Sequence, residues 1–495
     1  MNYVSTRNID PEKAKVSSAE AIKKVLATDG GLYMPEALPA LSREELLSLM
    51  AADYPTRAAT ILSKFLTDYT TEELLTDCRA AYGEPFGGNP APVARLSTDK
   101  FVLELYHGPT CAFKDMALQI MPRLLSRALQ KTGEKNTAMI LVATSGDTGK
   151  AALEGYRDVD GVKILVFYPD GGVSPMQKQQ MTTQEGKNVA VSAVRGNFDD
   201  AQNGVKRIFS DDAVREKLLS EGVILSSANS INWGRLAPQI VYYVSAYLDL
   251  VKTGDLAFGE TLDVTVPTGN FGNIFAAYLA KAMGLPLGRL VCASNQNNIL
   301  TDFLKTGVYD RNRPFYTTMS PSMDILISSN LERLLYTRLG ADATVRYMRS
   351  LADTGKYALT KEEHERLLSD FAGAYTDEEE TAAAIRRTYE KYGYLLDTHT
   401  AVAMSSAERY MEAAPGKTKM LVVSTASAYK FPHSVLSALS DDVPEDEYEA
   451  AKALSALTGV AIPAPIRGVM EKPVRFSDVI APDEMTAYTL KKAKN

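Results

Sequence analysis

The hydrophobic pattern changes character near residue 93. Up to about Val93 the chain reads as mostly helical. Ser42-Arg-Glu-Glu-Leu-Leu47 and Thr71-Glu-Glu-Leu-Leu75 each place an acidic first turn next to a hydroxyl residue able to cap it. Phe86-Gly-Gly-Asn-Pro-Ala-Pro92, dense in turn formers, is the predicted linker. From there to about Ser440, short apolar runs alternate with helical stretches: Met139–Ala143, Val162–Tyr168, Val189–Val194, Leu262–Val266, Leu290–Ala293 and Met420–Val423. Such alternation predicts an α/β fold, a parallel sheet flanked by helices. Gly355 to Glu380 is charged and predicted mostly helical, a solvated face. The tail after Asp441 starts acidic and ends in Lys491-Lys-Ala-Lys-Asn495, and is predicted to be a partly frayed appendage. The expected divisions are residues 1–93, 94–235, 236–440 and 441–495.

Two glycine-rich loops each sit between a strand-like and a helix-like run. The first is Thr144-Ser-Gly-Asp-Thr-Gly149; the second is Pro267-Thr-Gly-Asn-Phe-Gly-Asn273. Small residues let backbone N–H groups converge, and the positive end of the following helix favours an anion there. Between linker and first loop lies His107-Gly-Pro-Thr-Cys-Ala-Phe-Lys-Asp115, which sets Lys114 behind a Gly-Pro turn and ahead of the apolar run Met116–Met121. A lone lysine in such company commonly snorkels to water. One that is partly desolvated carries a lowered pKa and a neutral amine able to attack a carbonyl.

The familiar phosphate and metal motifs are excluded on spacing. A P-loop reading of Gly149-Lys150 fails, because Thr144 stands where a glycine is needed and Ala151 where a hydroxyl is needed. Gly269 and Gly272 lack the spacing of a dinucleotide fingerprint. His107, His364, His399 and His433 are scattered, and Cys78, Cys111 and Cys292 form no pair close in sequence. A net charge of −7 with no basic run argues against nucleic acid. Three cysteines in 495 residues suit a reducing compartment. Asp10, Glu12, Glu20 and Asp29 interrupt any targeting pattern, and the apolar stretch Ile240–Leu248 is too short to span a bilayer. A cytoplasmic protein is expected, without nucleic-acid or membrane partner.

Segments from the N-terminus to about Ser440 together give a resemblance. They include Ser5-Thr-Arg-Asn8, Asp29-Gly-Gly-Leu-Tyr-Met-Pro-Glu36, His107 to Asp115, Thr144 to Gly149 and Ser174-Pro-Met-Gln177. Gly196-Asn-Phe-Asp-Asp200, Asn229-Ser-Ile-Asn-Trp-Gly-Arg235 and Gly269 to Asn273 follow. Ser320-Pro-Ser-Met-Asp-Ile325, Ser329-Asn-Leu-Glu-Arg333, Asp397-Thr-His-Thr-Ala401, Thr425-Ala426 and Lys430-Phe431 complete the set. The chain resembles the threonine synthase family, pyridoxal-phosphate enzymes of fold type II. The resemblance implies two open parallel-rich sheets with flanking helices, plus a helical N-terminal domain. One departure is visible: Ser427-Ala428-Tyr429 stands where many relatives show His-Pro-Ala.

What the resemblance implies for single residues is specific. Lys114 holds pyridoxal 5'-phosphate as a Schiff base and then serves as the mobile acid/base. Gly269, Asn270, Phe271, Gly272 and Asn273 cradle its phosphate, and Thr425 meets the ring nitrogen. A hydroxyl there cannot pair with a pyridinium, so the ring stays mostly neutral. Ser145, Gly146, Asp147 and Thr148 receive the substrate α-carboxylate, with Asp147 turned toward the amino group, a neighbouring backbone or a cofactor oxygen. Lys178 and Arg235 are the expected cations for a substrate phosphate. The implied reaction turns O-phospho-L-homoserine and water into L-threonine and phosphate by γ-elimination and β-addition. Another fold-type-II lyase, a phospholyase or dehydratase, is the nearest alternative, and a non-catalytic binding protein of the same fold is a further one. Monomer and homodimer both stay open.

Overall fold

The computed structural model describes residues 1–10, 15–144, 146–413 and 418–494. The predicted caps form as capping boxes, Ser42 with Glu45 and Thr70 with Glu73, each side chain answering the other's backbone N–H. Four helices, Ser18–Lys24, Arg43–Leu49, Tyr54–Ser63 and Thr71–Tyr82, and a two-stranded pairing of Tyr3–Ser5 with Tyr33–Pro35 build the N-terminal region.

The rest is layered on two sheets. In the larger, the order is Phe371–Tyr375, Leu287–Ser294, Leu262–Pro267, Lys419–Ser424, Lys100–Glu104 and Val93–Arg95. All neighbours are parallel except the last pair. The smaller is fully parallel, in the order Val479–Ile480, Val189–Val194, Val162–Pro169, Thr137–Ala143 and Val223–Ser226. Strands covered on both faces read as unbroken apolar runs, which is why most of them were visible in sequence. The stretch Ile240–Leu248 lies in the helix Pro238–Thr253, buried on every side, and no helix among the described residues is long and apolar enough to cross a membrane.

Three segments differ from expectation. Lys100–Glu104, inside the larger sheet, was not anticipated, because charged residues bracket its three apolar ones. The chain therefore enters the larger sheet before building the smaller, and the sheets do not follow the linear divisions at 94 and 236. Residues 355–380, expected to be helical, contain the edge strand Phe371–Tyr375 beside the helix Lys361–Leu368. The tail after Asp441 is docked rather than frayed. Its helices Glu447–Thr458 and Ala464–Met470 bury Leu454 and Ile466, and Val479–Ile480 extends the smaller sheet by pairing with Ala193 and Val194.

Replacing Leu454, fully buried beneath the first tail helix, with alanine is expected to cost about 2–5 kcal/mol of unfolding free energy. Urea unfolding followed by circular dichroism checks this. A change within about 0.5 kcal/mol, the range of a surface substitution, would mean that the tail adds nothing to the core.

Candidate active site

Both glycine-rich loops leave the C-terminal ends of parallel strands, where open α/β sheets bind ligands. The first follows Thr137–Ala143 in the smaller sheet; the second follows Leu262–Pro267 in the larger. They face each other across a cavity of about 970 Å³ whose lining includes Lys114, Asp147, Thr148, Arg235, Gly269 to Asn273, Ser322, His399 and Thr425.

Lys114 sits at the mouth of the short helix Asp115–Leu118, 7 % exposed. Its Nζ donates to Ser322 Oγ at 3.1 Å and approaches Asp147 Oδ2 at 3.3 Å, with the Phe113 ring centroid 5.1 Å away. Burial lowers its pKa from the ordinary lysine value, and nearby Lys430 and Arg235 lower it further while Asp147 opposes them. Behind it, Asp115 is fully buried and accepts from the backbone N–H and hydroxyl of Thr110 at 2.8 and 2.6 Å. Burial dominates there and pushes its carboxyl up to about 6.

Asp147 opens the helix Asp147–Tyr156. Burial alone would raise its pKa, but Lys430 and Lys114, with His399 at longer range, hold it well below the usual carboxylate range. Gln177 Nε2 donates to Oδ1 at 3.1 Å. Gly146 precedes it at φ +136, where a Cβ would collide with the Gln177 side chain, so both backbone and space require glycine. Ser145, expected beside it, lies outside the described residues.

In the second loop Phe271 takes φ +62 as the N-cap of the helix Gly272–Ala282. The helix's first N–H groups have no intrahelical partner and face the loop. The loop is held from outside: Asn330 N donates to Asn270 O at 3.0 Å and Ser328 Oγ to Gly269 O at 2.7 Å. Asn273 Oδ1 accepts from Tyr242 and Tyr243, both at 2.6 Å, while its Nδ2 is buried without a protein partner.

Arg235 is buried in the cavity wall. One nitrogen donates to Ala228 O at 2.7 Å, and burial lowers its pKa to about 10 with no carboxylate among the described residues to offset it. Lys178 is placed elsewhere. It is half-exposed, 3.9 Å from Asp170, and absent from the lining, whereas Gln177 one position earlier on the helix Pro175–Thr182 reaches inward. Successive helical residues diverge by about 100°, so the expected cation is turned away from the cavity.

Three further side chains join the site without having been assigned to it in sequence. Ser322 comes from a loop following the larger sheet. His399 Nε2 accepts from Ser322 N at 3.2 Å, and its Nδ1 lies 3.0 Å from Asp397 Oδ1. The carboxylate fixes the ring, so that Nε2 is left as the acceptor. Lys430, fully buried, reaches Asp147 Oδ1 at 2.9 Å.

The chain's relatives carry the same layout over nearly its whole length. A family model described as threonine synthase N terminus matches residues 2–82, one described as pyridoxal-phosphate dependent enzyme matches 89–426, and one described as threonine synthase, C-terminal, matches 400–488. Threonine synthase of Pseudomonas aeruginosa is 38% identical, the match covering 88% of this chain and 90% of that protein. The chain belongs to the threonine synthase family. Human threonine synthase-like 1 is 44% identical over 88% of this chain, but the chain spans about 60% of that protein's length. The crystal structure of pyridoxal-phosphate-bound threonine synthase from Brucella melitensis superposes with a TM-score of 0.88 at 37% identity, covering 100% of both chains.

Family membership makes pyridoxal phosphate the cofactor, and this cavity fits it. A buried lysine of lowered pKa is available to its aldehyde. A helix N-terminus with an unpartnered Asn273 amide is available to its phosphate. Gly269 approaches the Ser322 carbonyl so closely that a Cβ would lie 2.5 Å from that oxygen. Gly269→Ala is expected to shift the loop and weaken cofactor binding about tenfold or more, given about 1–3 kcal/mol for overpacking. Absorbance titration of the apoprotein with pyridoxal phosphate checks it. Gly88→Ala, at a position with open space around it, is the control expected to leave the affinity unchanged.

Proposed function

We propose that this chain is a threonine synthase, forming L-threonine and inorganic phosphate from O-phospho-L-homoserine and water. The observation that carries the reading is Arg235: a guanidinium in the cavity wall with, among the described residues, only a carbonyl as side-chain partner. A buried cation left unpaired costs several kcal/mol, and an anionic substrate group removes that cost on binding. A phosphoester substrate supplies such a group beyond the carboxylate common to all amino acids.

Pyridoxal phosphate, when bound, supplies an electron sink that acidifies the carbons next to the substrate amine. Lys114 would hold it and, once freed by the substrate amine, would take the proton from the α carbon. The same amine would take a second proton from the β carbon as the phosphate leaves the γ carbon, and would return protons to the γ and α carbons. One flexible amine with a lowered pKa serves these transfers better than several fixed groups. Gly269 to Asn273 would hold the cofactor phosphate, and the Thr425 hydroxyl would meet the ring nitrogen. Gly146 and Thr148, with Ser145, receive the substrate carboxylate. Asp147 stands on the amine side, where its charge complements an ammonium and does not oppose the carboxylate. Arg235 takes the substrate phosphate, and Lys178 has no part in the cavity. Water enters at the β carbon, so that one water is consumed for each phosphate released.

Purified holoprotein given O-phospho-L-homoserine is expected to release threonine and phosphate one to one. Lys114→Ala should lower turnover at least about 10³-fold and abolish the visible absorbance of the bound cofactor. Arg235→Gln should raise KM for the phosphoester about tenfold or more while the cofactor stays bound. Phosphate accompanied by a keto acid would assign the chain to the phospholyases or dehydratases instead.

A further inference from the structure

Lys430 is among the most deeply enclosed charges of the molecule, with no exposed surface at all. An ammonium has three N–H groups, and three acceptors surround this one: Asp147 Oδ1 at 2.9 Å, Thr110 O at 3.0 Å and Gln180 Oε1 at 2.9 Å. Its direction is therefore fixed. Asp147 Oδ1 is engaged twice, by Lys430 and by Gln177 Nε2 at 3.1 Å, while Oδ2 faces Lys114 at the longer distance of 3.3 Å.

We propose that Lys430 is a positioning residue, which holds the Asp147 carboxylate ionised and turned so that Oδ2 is the acceptor for whichever amine occupies the position of Lys114 Nζ. The inference rests on the reading of Lys114 as the acid/base lysine and adds what that lysine works against. Substrate amine and lysine amine exchange places during turnover, so one cationic nitrogen is replaced by another at the same point. A fixed negative oxygen stabilises either. The charged and titratable groups facing Asp147 are Lys114 on the preceding helix, Lys430 on the segment after Thr425, and His399 across the cavity. Of these, Lys114 engages the substrate and His399 is tied to Ser322 and Asp397. Lys430 is the constant partner.

The sign of the effect follows. Burial raises the Asp147 pKa and Lys430 lowers it, so removing Lys430 makes the carboxyl protonate at higher pH. The Lys430→Met and Lys430→Gln holoproteins are compared with wild type, with cofactor content and Tm establishing that each is folded and loaded. Gln keeps donors for Thr110 and Gln180 and guards against loss of the fold. Wild type, with Asp147 held far below the usual carboxylate range, should show no acid limb of kcat/KM from this group, and both variants should gain one as the Asp147 titration rises. The pH midpoint of the cofactor's visible absorbance, which needs no substrate, should shift as well. In the Asp147→Asn background, adding Lys430→Gln should bring in no such limb and lower kcat/KM little further. No new limb and an unchanged midpoint in loaded variants, or losses that multiply in the double variant, would overturn the proposal. Absence of threonine formation by wild type would count against the substrate reading alone, since the absorbance midpoint still reports on Lys430.

Discussion

Phe113 donates its backbone N–H to the carbonyl of Thr425 at 2.8 Å, and Ser427 returns one to the carbonyl of Cys111 at 3.0 Å. Between them Ala112 and Ala426 form an isolated antiparallel bridge. This clip joins segments about 300 residues apart in sequence, and the rest of the site depends on it. It fixes Lys114 of one segment relative to Thr425 of the other on the wall of one cavity. Backbone hydrogen bonds do this with less rotational freedom than side-chain contacts would. Cys111, at φ +56, is one of the few non-glycine residues of the molecule with a left-handed backbone. Such a conformation persists only where its surroundings over-determine it, and here the clip does so.

Around that clip the charges are arranged by burial as much as by pairing. Two lysines and one carboxylate lie enclosed together, and the carboxylate wins the competition for ionisation because each oxygen faces a cation. Burial and the neighbouring positive groups lower the pKa of Lys114, and Asp147 opposes them. Ser322 adds a second weak partner, itself held through its backbone by His399 and, behind that, by Asp397. For the doubly charged phosphoester proposed above, the acidic chain as a whole is repulsive, so the attraction rests on local cations inside the cavity.

Much of this was legible in sequence, for physical reasons. Runs such as Val162–Tyr168 and Val189–Val194 stood out because parallel strands are buried on both faces. The loops stood out because only small residues permit their backbone. Lys114 stood out only in the company of the two loops, since a lone lysine beside an apolar helix commonly snorkels to water. Lys100–Glu104 and Phe371–Tyr375 did not: one begins and ends in charge, the other carries three small residues, and each is a strand only because a neighbouring strand pairs with it. Gln177, Ser322, His399 and Lys430 could be read only as matched letters, since their roles arise from contacts across 30 to 300 positions. Lys178 shows the reverse failure. It had the right charge in the right neighbourhood, and one step along a helix turned it outward.

The docked tail bears on the same site. Glu447, in the first turn of the tail helix, accepts the backbone N–H of Met176 at 2.9 Å, at the start of the helix that carries Gln177 and Gln180. Gln177 touches Asp147, and Gln180 touches Lys430. The helix also contacts Ala464–Met470 of the tail, through Gln179 Nε2 to Val469 O at 3.3 Å, and the same nitrogen reaches Lys472 O just beyond it at 2.9 Å. A segment that resembles a loose end in sequence is therefore coupled, through one helix, to both neighbours of the carboxylate facing Lys114. Residues 447–472 of the tail brace the helix against which Asp147 and Lys430 are aligned.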